Sequence, residues 1–352
     1  MTQYNIDFFD LNLNNVHHDV VSGINIDEDY LSPSETTIEI AKTDNVSNHD
    51  LVYIKGLIEF LGIVTKVSTK DYSTEISFKP FISLFDQDVL IDTDTQGKTA
   101  LETVIVNKIT EYWISSSDSL QNIPTLQVSA TSSTTNWGMN LKSDQEERHH
   151  CIVGFYSVII AKALSKYGIA VNASLDFATK KIIVTVGKVN ESTFYVDADL
   201  ENVVIQTFSL KEPSSAINKL EVWNTDNFTQ KTYYYLHPDG SYNTSNTDRI
   251  TPVVLGVTSA SPSDDKTFAQ AASEAASSSL DGVEWTNLIE LEMNATDKLV
   301  NPLDMRFGQT VSVVHDDTAY ASILTGKKLS ETIVLVFGTV RHDLTKILKS
   351  GG

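Results

Sequence analysis

Hydrophobic and polar residues alternate along most of this chain. From residue 4 to 90 the period is mostly two, and 38–40, 51–54, 58–67 and 74–78 read as strands. Clusters of Asn, Asp, Ser and Gly separate them, and Pro33 and Pro80 punctuate strand edges. The pattern predicts a first β-barrel or sandwich.

The period then changes. Thr99 and Glu102 have capping-box spacing, and Leu101, Val104, Ile105, Ile109, Tyr112 and Trp113 follow at helical spacing. An amphipathic helix ending at Ser115-Ser116-Ser117 is expected. Residues 125–140 read as a polar, strand-like segment. Ser143 and Glu146 repeat the capping-box pattern and are expected to open a longer helix through Cys151, Phe155, Ile159, Ala163 and Tyr167, stopped at Gly168. Its C-terminal half is apolar nearly all round, which predicts a position between two layers. With strands at 170–176, 181–186 and 193–196, this makes an α+β insert.

Period two returns at 203–210, 219–223 and 232–236, the last leading into a hairpin turn at His237-Pro238-Asp239-Gly240. Tyr242, Val253 and Val254 continue it. Pro262, Ser263 and Asp264 read as a helix start and 268–276 as a helix by alanine content. Few large apolar residues lie there, so weak or surface packing is expected. Residues 289–293 open the last β unit, which 303–348 complete. Within that stretch 309–315 places Val311 and Val313 on one face, 320–324 is ended by Thr325-Gly326, and 333–337 is apolar on both faces. Asp316-Asp317 and Gly326-Lys327-Lys328 are the expected turns. Phe307-Gly308 and Phe337-Gly338 bracket the unit, and a Gly after an aromatic in a strand marks a bulge or close backbone approach.

The fold class expected is α+β, mostly β: two antiparallel β-barrel or sandwich, tube-like domains with an inserted α+β domain. The first comprises 1–97 plus 203–212, the insert 98–202, and the second 213–352 with a peripheral helix near 264–278. No fixed-period repeat is visible, but two β units, each with a helix, are compatible with a duplicated module.

Composition narrows the function. A chain of 352 residues, 41% hydrophobic and 20% charged, is that of a globular protein with two or three cores. Asp and Glu outnumber Lys and Arg 46 to 26, a net charge of -20, which argues against wrapping nucleic acid or binding anionic membranes. The one cysteine, Cys151, excludes an intrachain disulfide. No apolar run approaches a membrane span, and the N-terminus lacks a signal-peptide pattern, so synthesis and folding in a cytoplasm are expected.

Candidate chemistry is sparse. Asp92, Asp94, Gln96 and Gly97 begin like a calcium loop, but Thr103 stands where a bidentate Glu is needed, so a polar loop is the reading. His17-His18 and His149-His150-Cys151 are adjacent residues whose side chains diverge, and no metal site is expected. Asp27/Asp29 and Asp316/Asp317 read as turn residues. No nucleophile elbow, HExxH, catalytic Cys motif or phosphate loop occurs, so no catalytic residue and no cofactor is expected. Trp137, Trp223 and Tyr233-Tyr234-Tyr235 offer sugar-stacking surfaces, or else core and cross-strand pairs.

The order "strand, FG-x-x-V, acidic turn, Y-x-x-I-L-T-G, strand, FG-x-x-R-x-x-L-T" resembles the C-terminal part of phage tail-hub (baseplate-hub) proteins. These are trimeric proteins of long-tailed phages, also found as the N-terminal structural module of tail-associated lysins of phages of Gram-positive bacteria. The matching positions are Phe307, Gly308, Val311, Tyr320, Ile323, Leu324, Thr325, Gly326, Phe337, Gly338, Arg341, Leu344 and Thr345. Residues 56–90 match more weakly, through G-x-V-x-x-V, strands and PFISLFDQDVL. The resemblance implies a homotrimer whose two similar barrels per chain form a pseudo-six-fold ring, adapting a six-fold tail tube to a three-fold tip and gating a DNA channel. It implies residence in the virion, contacts with distal tail, tape-measure and receptor-binding proteins, and transient passage of DNA without specific binding. The alternatives are a host cell-wall glycan-binding module and a cell-wall hydrolase. Lytic relatives carry the enzyme after the hub module, and here Lys349-Ser-Gly-Gly follows the resemblance almost at once, so no such domain is expected.

Overall fold

The computed structural model describes residues 3–55, 59–139, 141, 150–189, 194–210, 217–237, 242–247, 249, 253–263, 266–280, 287–294, 305–330 and 332–338. The chain begins with β1 (Gln3–Phe9), β2 (Asn15–Ser22), β3 (Ile26–Asp29), β4 (Thr36–Ala41), β5 (Leu51–Lys55), β6 (Glu59–Thr69) and β7 (Ser73–Pro80). All but β3 form an antiparallel sheet of order β2-β1-β5-β6-β7-β4. It curls so far that its outer strands meet, where the Asp19 carboxylate on β2 accepts the Ala41 amide of β4 at 2.8 Å. Alternation puts Tyr4, Ile6 and Phe8 of β1 inward, whereas Leu51, Val52, Tyr53 and Ile54 of β5 are all buried. A strand apolar on both faces is one covered on both sides.

Next come β8 (Asp88–Asp92), α1 (Leu101–Ile109), β9 (Leu126–Ala130), β10 (His150–Gly154), α2 (Ala161–Tyr167), β11 (Ile169–Asp176) and β12 (Lys181–Lys188). Strands β11-β12-β9 form a three-stranded sheet, and β10 pairs antiparallel with β8. Two expectations fail here. Glu102 does not close a capping box: α1 has no side-chain cap, and the Glu102 carboxylate instead accepts the Ser132 and Thr135 hydroxyls at 2.9 and 2.8 Å. The long second helix is not formed either. Ser143 and Glu146 lie outside the described residues, and 150–154 is a strand with Cys151 buried and Ile152 72% exposed. Its β-branched Ile152-Val153 suits a strand, and β8 offers an edge to pair with. Helical backbone starts only at Phe155 and stops at Gly168, whose φ of 64° is left-handed. The turn Phe155–Ile160 is fully apolar inside, with Phe155, Tyr156, Ile159 and Ile160 buried between layers.

The remaining elements are β13 (Phe194–Asp197), β14 (Val203–Leu210), β15 (Lys219–Asn224), β16 (Lys231–Leu236), β17 (Tyr242–Asn243), β18 (Leu255–Ala260), α3 (Phe268–Leu280), β19 (Asn287–Asn294), β20 (Thr310–His315), β21 (Thr318–Leu329) and β22 (Thr332–Gly338). A seven-stranded sheet runs β13-β20-β21-β22-β19-β14, with β3 added against β21. Strand β14, expected with the first unit, pairs here with β19, and β13, expected in the insert, pairs here with β20. Thr325-Gly326 does not end a strand, and Gly326-Lys327-Lys328 is no turn. Strand β21 runs on through a bulge at Leu324–Gly326, because its second half is held on both sides, by β22 and by β3. The Asp316–Asp317 turn does form, both residues having φ near 50–60° as a two-residue hairpin loop requires.

One continuous apolar core joins the six-stranded sheet, the inserted helices and the seven-stranded sheet. The four-stranded sheet β17-β16-β15-β18 and α3 enclose another, built from Leu220, Val222, Ala260, Ala271, Ala272, Ala276 and Leu280. Helix α3 is therefore better packed than its composition predicts: its alanines let it lie close on β15. Pro238, Asp239 and Gly240 of the expected turn, and Asp264 of the expected helix start, lie outside the described residues.

Candidate functional site

Several of the described motif residues meet where the seven-stranded sheet joins the insert, whereas Tyr320 lies away from that junction. Phe307 packs on Tyr30, ring centroids 5.4 Å apart, with the Lys327 ammonium over its ring at 5.4 Å. Gly308 has φ +82°, and a Cβ there would stand 3.0 Å from Ala170 and 3.1 Å from Leu164. Its amide donates to the Leu324 carbonyl at 2.9 Å. Val311 and Leu324 are fully buried, and Leu324 faces Phe337 across the ladder. The Thr325 hydroxyl donates to the Gly338 carbonyl at 2.6 Å, and the Thr325 carbonyl accepts the Tyr30 amide at 3.0 Å. Gly326 lies where a Cβ would come within 3.1 Å of Val336. Tyr320 meets Phe208 edge-on at 5.1 Å, and Ile323 is half-buried against the core. Arg341, Leu344 and Thr345 lie outside the described residues.

Tyr30 is the hub of these contacts. Its hydroxyl accepts the Val171 amide at 2.7 Å, and its carbonyl accepts the Tyr156 hydroxyl. One side chain following β3 thus touches the insert and the seven-stranded sheet together. Burial pushes the Tyr30 phenol well above its ordinary pKa, against the opposing bond from Val171. Sequence periodicity could not single out Tyr30, since Ile26-Asp27-Glu28-Asp29 has no strand-like alternation.

Beside this node is a cavity of about 270 Å³, lined in part by Glu28, Tyr53, Glu59, Arg306, Phe307 and Lys327. Burial pushes the Glu28 carboxyl up, opposed by the attraction of Lys327. Burial pushes the Lys327 ammonium down, opposed chiefly by Glu28. Lys327 also donates to the Met305 carbonyl, fastening 305–307 to β21. Tyr53 donates to Glu59 at 2.8 Å. Opposite charges balance inside the cavity, which suits a polar seam between packed sheets.

The other candidates resolve into local roles. The Asp29 carboxylate accepts the Leu31 amide at 2.9 Å and Asp92 accepts the Asp94 amide at 2.9 Å, both closing turns. His17 and His18 are neighbours on β2 and so face opposite ways, and His18 Nδ1 lies 2.8 Å from Asp7. His149 is outside the described residues, His150 opens β10, and Cys151 is buried. A cluster missed in the sequence joins Asp199, His315 and Asp316, whose ligand-type atoms lie within 4.8 Å of one another. His315 Nδ1 is 2.6 Å from Asp199, and that bond holds the imidazole above its ordinary pKa. Asp199 and Asp316 are exposed, and the group acts as a hydrogen-bonded brace for the β20–β21 turn.

The aromatic candidates divide. Trp137 is buried, its Nε1 donating to the Thr99 carbonyl at 2.9 Å, and Tyr234 packs inward against the α3 core. Trp223, Tyr233 and Tyr235 are on the outer face of the four-stranded sheet, interleaved with cations. Lys231 lies over Trp223 at 4.6 Å and Tyr233 at 5.3 Å, Lys219 over Tyr233 at 4.7 Å, and Arg249 over Tyr235 at 5.5 Å. Among the described residues no helix is long and apolar enough to cross a membrane.

The sequence matches no family model and no curated protein. In fold, however, the chain is similar to solved phage proteins along nearly its whole length. A chain of the phage P2 baseplate in its activated conformation with Ca has 14% identity and TM-score 0.50, over 96% of this chain and 98% of that one. The tail protein from Neisseria meningitidis MC58 has 9% identity and TM-score 0.50, over 96% of each chain. The 43 kDa tail protein of prophage MuSo2 from Shewanella oneidensis has 10% identity and TM-score 0.50, over 97% of this chain and 98% of that one.

Proposed function

We propose that this chain is a structural virion protein that forms a trimeric hub at the distal end of a phage tail. The observation that carries the reading is the pair of curled sheets around one shared core, in a fold similar to a phage baseplate chain over 96% of the length. In this reading the six-stranded and seven-stranded sheets are the two ring-forming units. Three copies then supply six, which adapts a six-fold tube to a three-fold tip. Open edges of the seven-stranded sheet support it: they need partners to avoid indiscriminate pairing, and Tyr195 on β13 and Val204 on β14 leave 74% and 54% of their surface exposed.

The role is one of shape and needs no catalytic step or cofactor. In this reading the motif from Phe307 to Gly338 fixes the second ring unit to the insert. The net charge of -20 would keep a channel from gripping the DNA phosphate backbone, so that DNA slides through once host attachment opens the tip. Distal tail, tape-measure and receptor-binding proteins are the expected neighbours, in a long-tailed phage of Gram-positive bacteria. Sedimentation equilibrium at micromolar concentration tests the reading: a trimer is expected, and a strictly monomeric chain would overturn it.

A further inference from the structure

Three parallel rows stand in register on the outer face of the four-stranded sheet. Lys231, Tyr233 and Tyr235 of β16 lie opposite Trp223, Glu221 and Lys219 of β15, which lie beside Ser259, Val257 and Leu255 of β18. Helix α3 closes the inner face, so this face is the one left to solvent. Val257 and Leu255 are 63% and 52% exposed. Rings and cations are interleaved along it, and the Tyr233 and Tyr235 rings stand 6.5 Å apart with their planes inclined at 28°. In a chain with 46 acidic and 26 basic residues, the described residues of this face include three cations, Lys219, Lys231 and Arg249, and one carboxylate, Glu221, which Lys231 meets at 3.0 Å.

We infer that this face binds a linear acidic polysaccharide, with Lys219, Lys231 and Arg249 pairing its carboxylates and Val257 and Leu255 carrying the C–H faces of its sugars. The cations are already held over aromatic rings, so ordering them on binding costs little further side-chain entropy. The exposed aliphatics of β18 run beside the β15 and β16 rows, which carry Lys231 at one end and Lys219 at the other, and this matches a polymer whose units are apolar on one face and anionic at the rim. Rival polymers fit less well. Nucleic-acid bases stack on open ring faces, and here the faces are covered by the protein's own cations. Protein interfaces are depleted of charged residues at their centres, and here Glu221 stands at the centre with Lys219 and Lys231 toward the two ends. The inference does not rest on the hub reading, because the face belongs to the unit with its own core.

The test titrates the full chain with polygalacturonate, using dextran as the uncharged counterpart and oligo(dT) and poly-glutamate as rival polyanions. Calorimetry reads affinity, and tryptophan emission reports on Trp223. Polygalacturonate is expected to bind, to weaken as salt is raised, and to lose at least about tenfold in affinity in K219Q/K231Q, while dextran does not bind. Circular dichroism and the melting midpoint check that the double variant is folded. If it is not, Arg249→Gln and the salt titration of the parent decide, and no loss in either overturns the inference. It is also overturned by failure of polygalacturonate to bind at low salt, by unchanged affinity in a folded K219Q/K231Q, or by equal binding of oligo(dT) or poly-glutamate.

Discussion

Removing a single oxygen, in Tyr30→Phe, tests whether the three-sheet junction is held by a buried hydrogen bond. The ring stays, so the packing on Phe307 and Tyr156 at 5.4 and 6.4 Å is kept. What disappears is the acceptor of the Val171 amide. Val171 is on β11, the outer strand of its three-stranded sheet, and its amide points away from β12 toward Tyr30. Both residues are 1% exposed or less, so water does not replace the lost partner. A buried donor left unpaired costs about 1–3 kcal/mol. Tyr30→Ala also removes the ring and is expected to cost about 3–5 kcal/mol. Urea unfolding followed by circular dichroism measures both, the midpoint shift multiplied by the slope giving the loss. Amide exchange gives a local check: Val171 should exchange about 5- to 150-fold faster in Tyr30→Phe, the same free energy expressed as a ratio. A Tyr30→Phe variant within about 0.5 kcal/mol of the parent, with Val171 exchange unchanged, would refute the reasoning.

Two more expectations follow from burial and backbone geometry. Burial alone would raise the Glu102 carboxyl, but hydrogen bonds from its own amide, Thr135 and Ser132 outweigh it and hold the pKa below the ordinary 4.5. A depressed pKa means stability that is present above 4.5 and lost as pH falls through the folded value. Glu102→Gln should therefore cost about 1–3 kcal/mol at neutral pH, with the gap to the parent narrowing in acid; a pH-independent gap in urea midpoints counts against it. Gly308→Ala should cost about 2–4 kcal/mol by adding left-handed strain to overpacking. Gly23→Ala, at φ +75° with nothing within 4 Å of the added carbon, should cost only about 1–2 kcal/mol. Equal melting-temperature losses in the two would show that Ala170 and Leu164 do not confine Gly308.

Much of the β framework was legible because alternation is a local signal. Strand β20 follows from period two, β22 from a run apolar on both faces, and the Asp316–Asp317 turn from turn chemistry. What local patterns do not carry is the choice of partner. Strand β3 pairs with β21 nearly the whole chain away, and β13 and β14 join the last sheet rather than their sequence neighbours. The same blindness explains Thr325-Gly326: two residues that read as a turn become a bulge once strands occupy both sides. Glu102 had the spacing of a helix cap, yet Thr135 was a better-placed donor. The candidate face was half visible. Lys219, Glu221 and Trp223 alternate plainly with Leu220 and Val222, but only α3 decides which set is left outside.

The separate core under α3 has a thermal consequence. Among the described residues four of its seven buried side chains are alanine, and each large aliphatic residue contributes about 1.5–3 kcal/mol of burial while alanine contributes far less. Among the described residues the two buried clusters share no apolar side chain, so this appendage can fray without disturbing its neighbour. On heating, the appendage should melt first as a small early transition, leaving the bulk of the protein to unfold later in its own step.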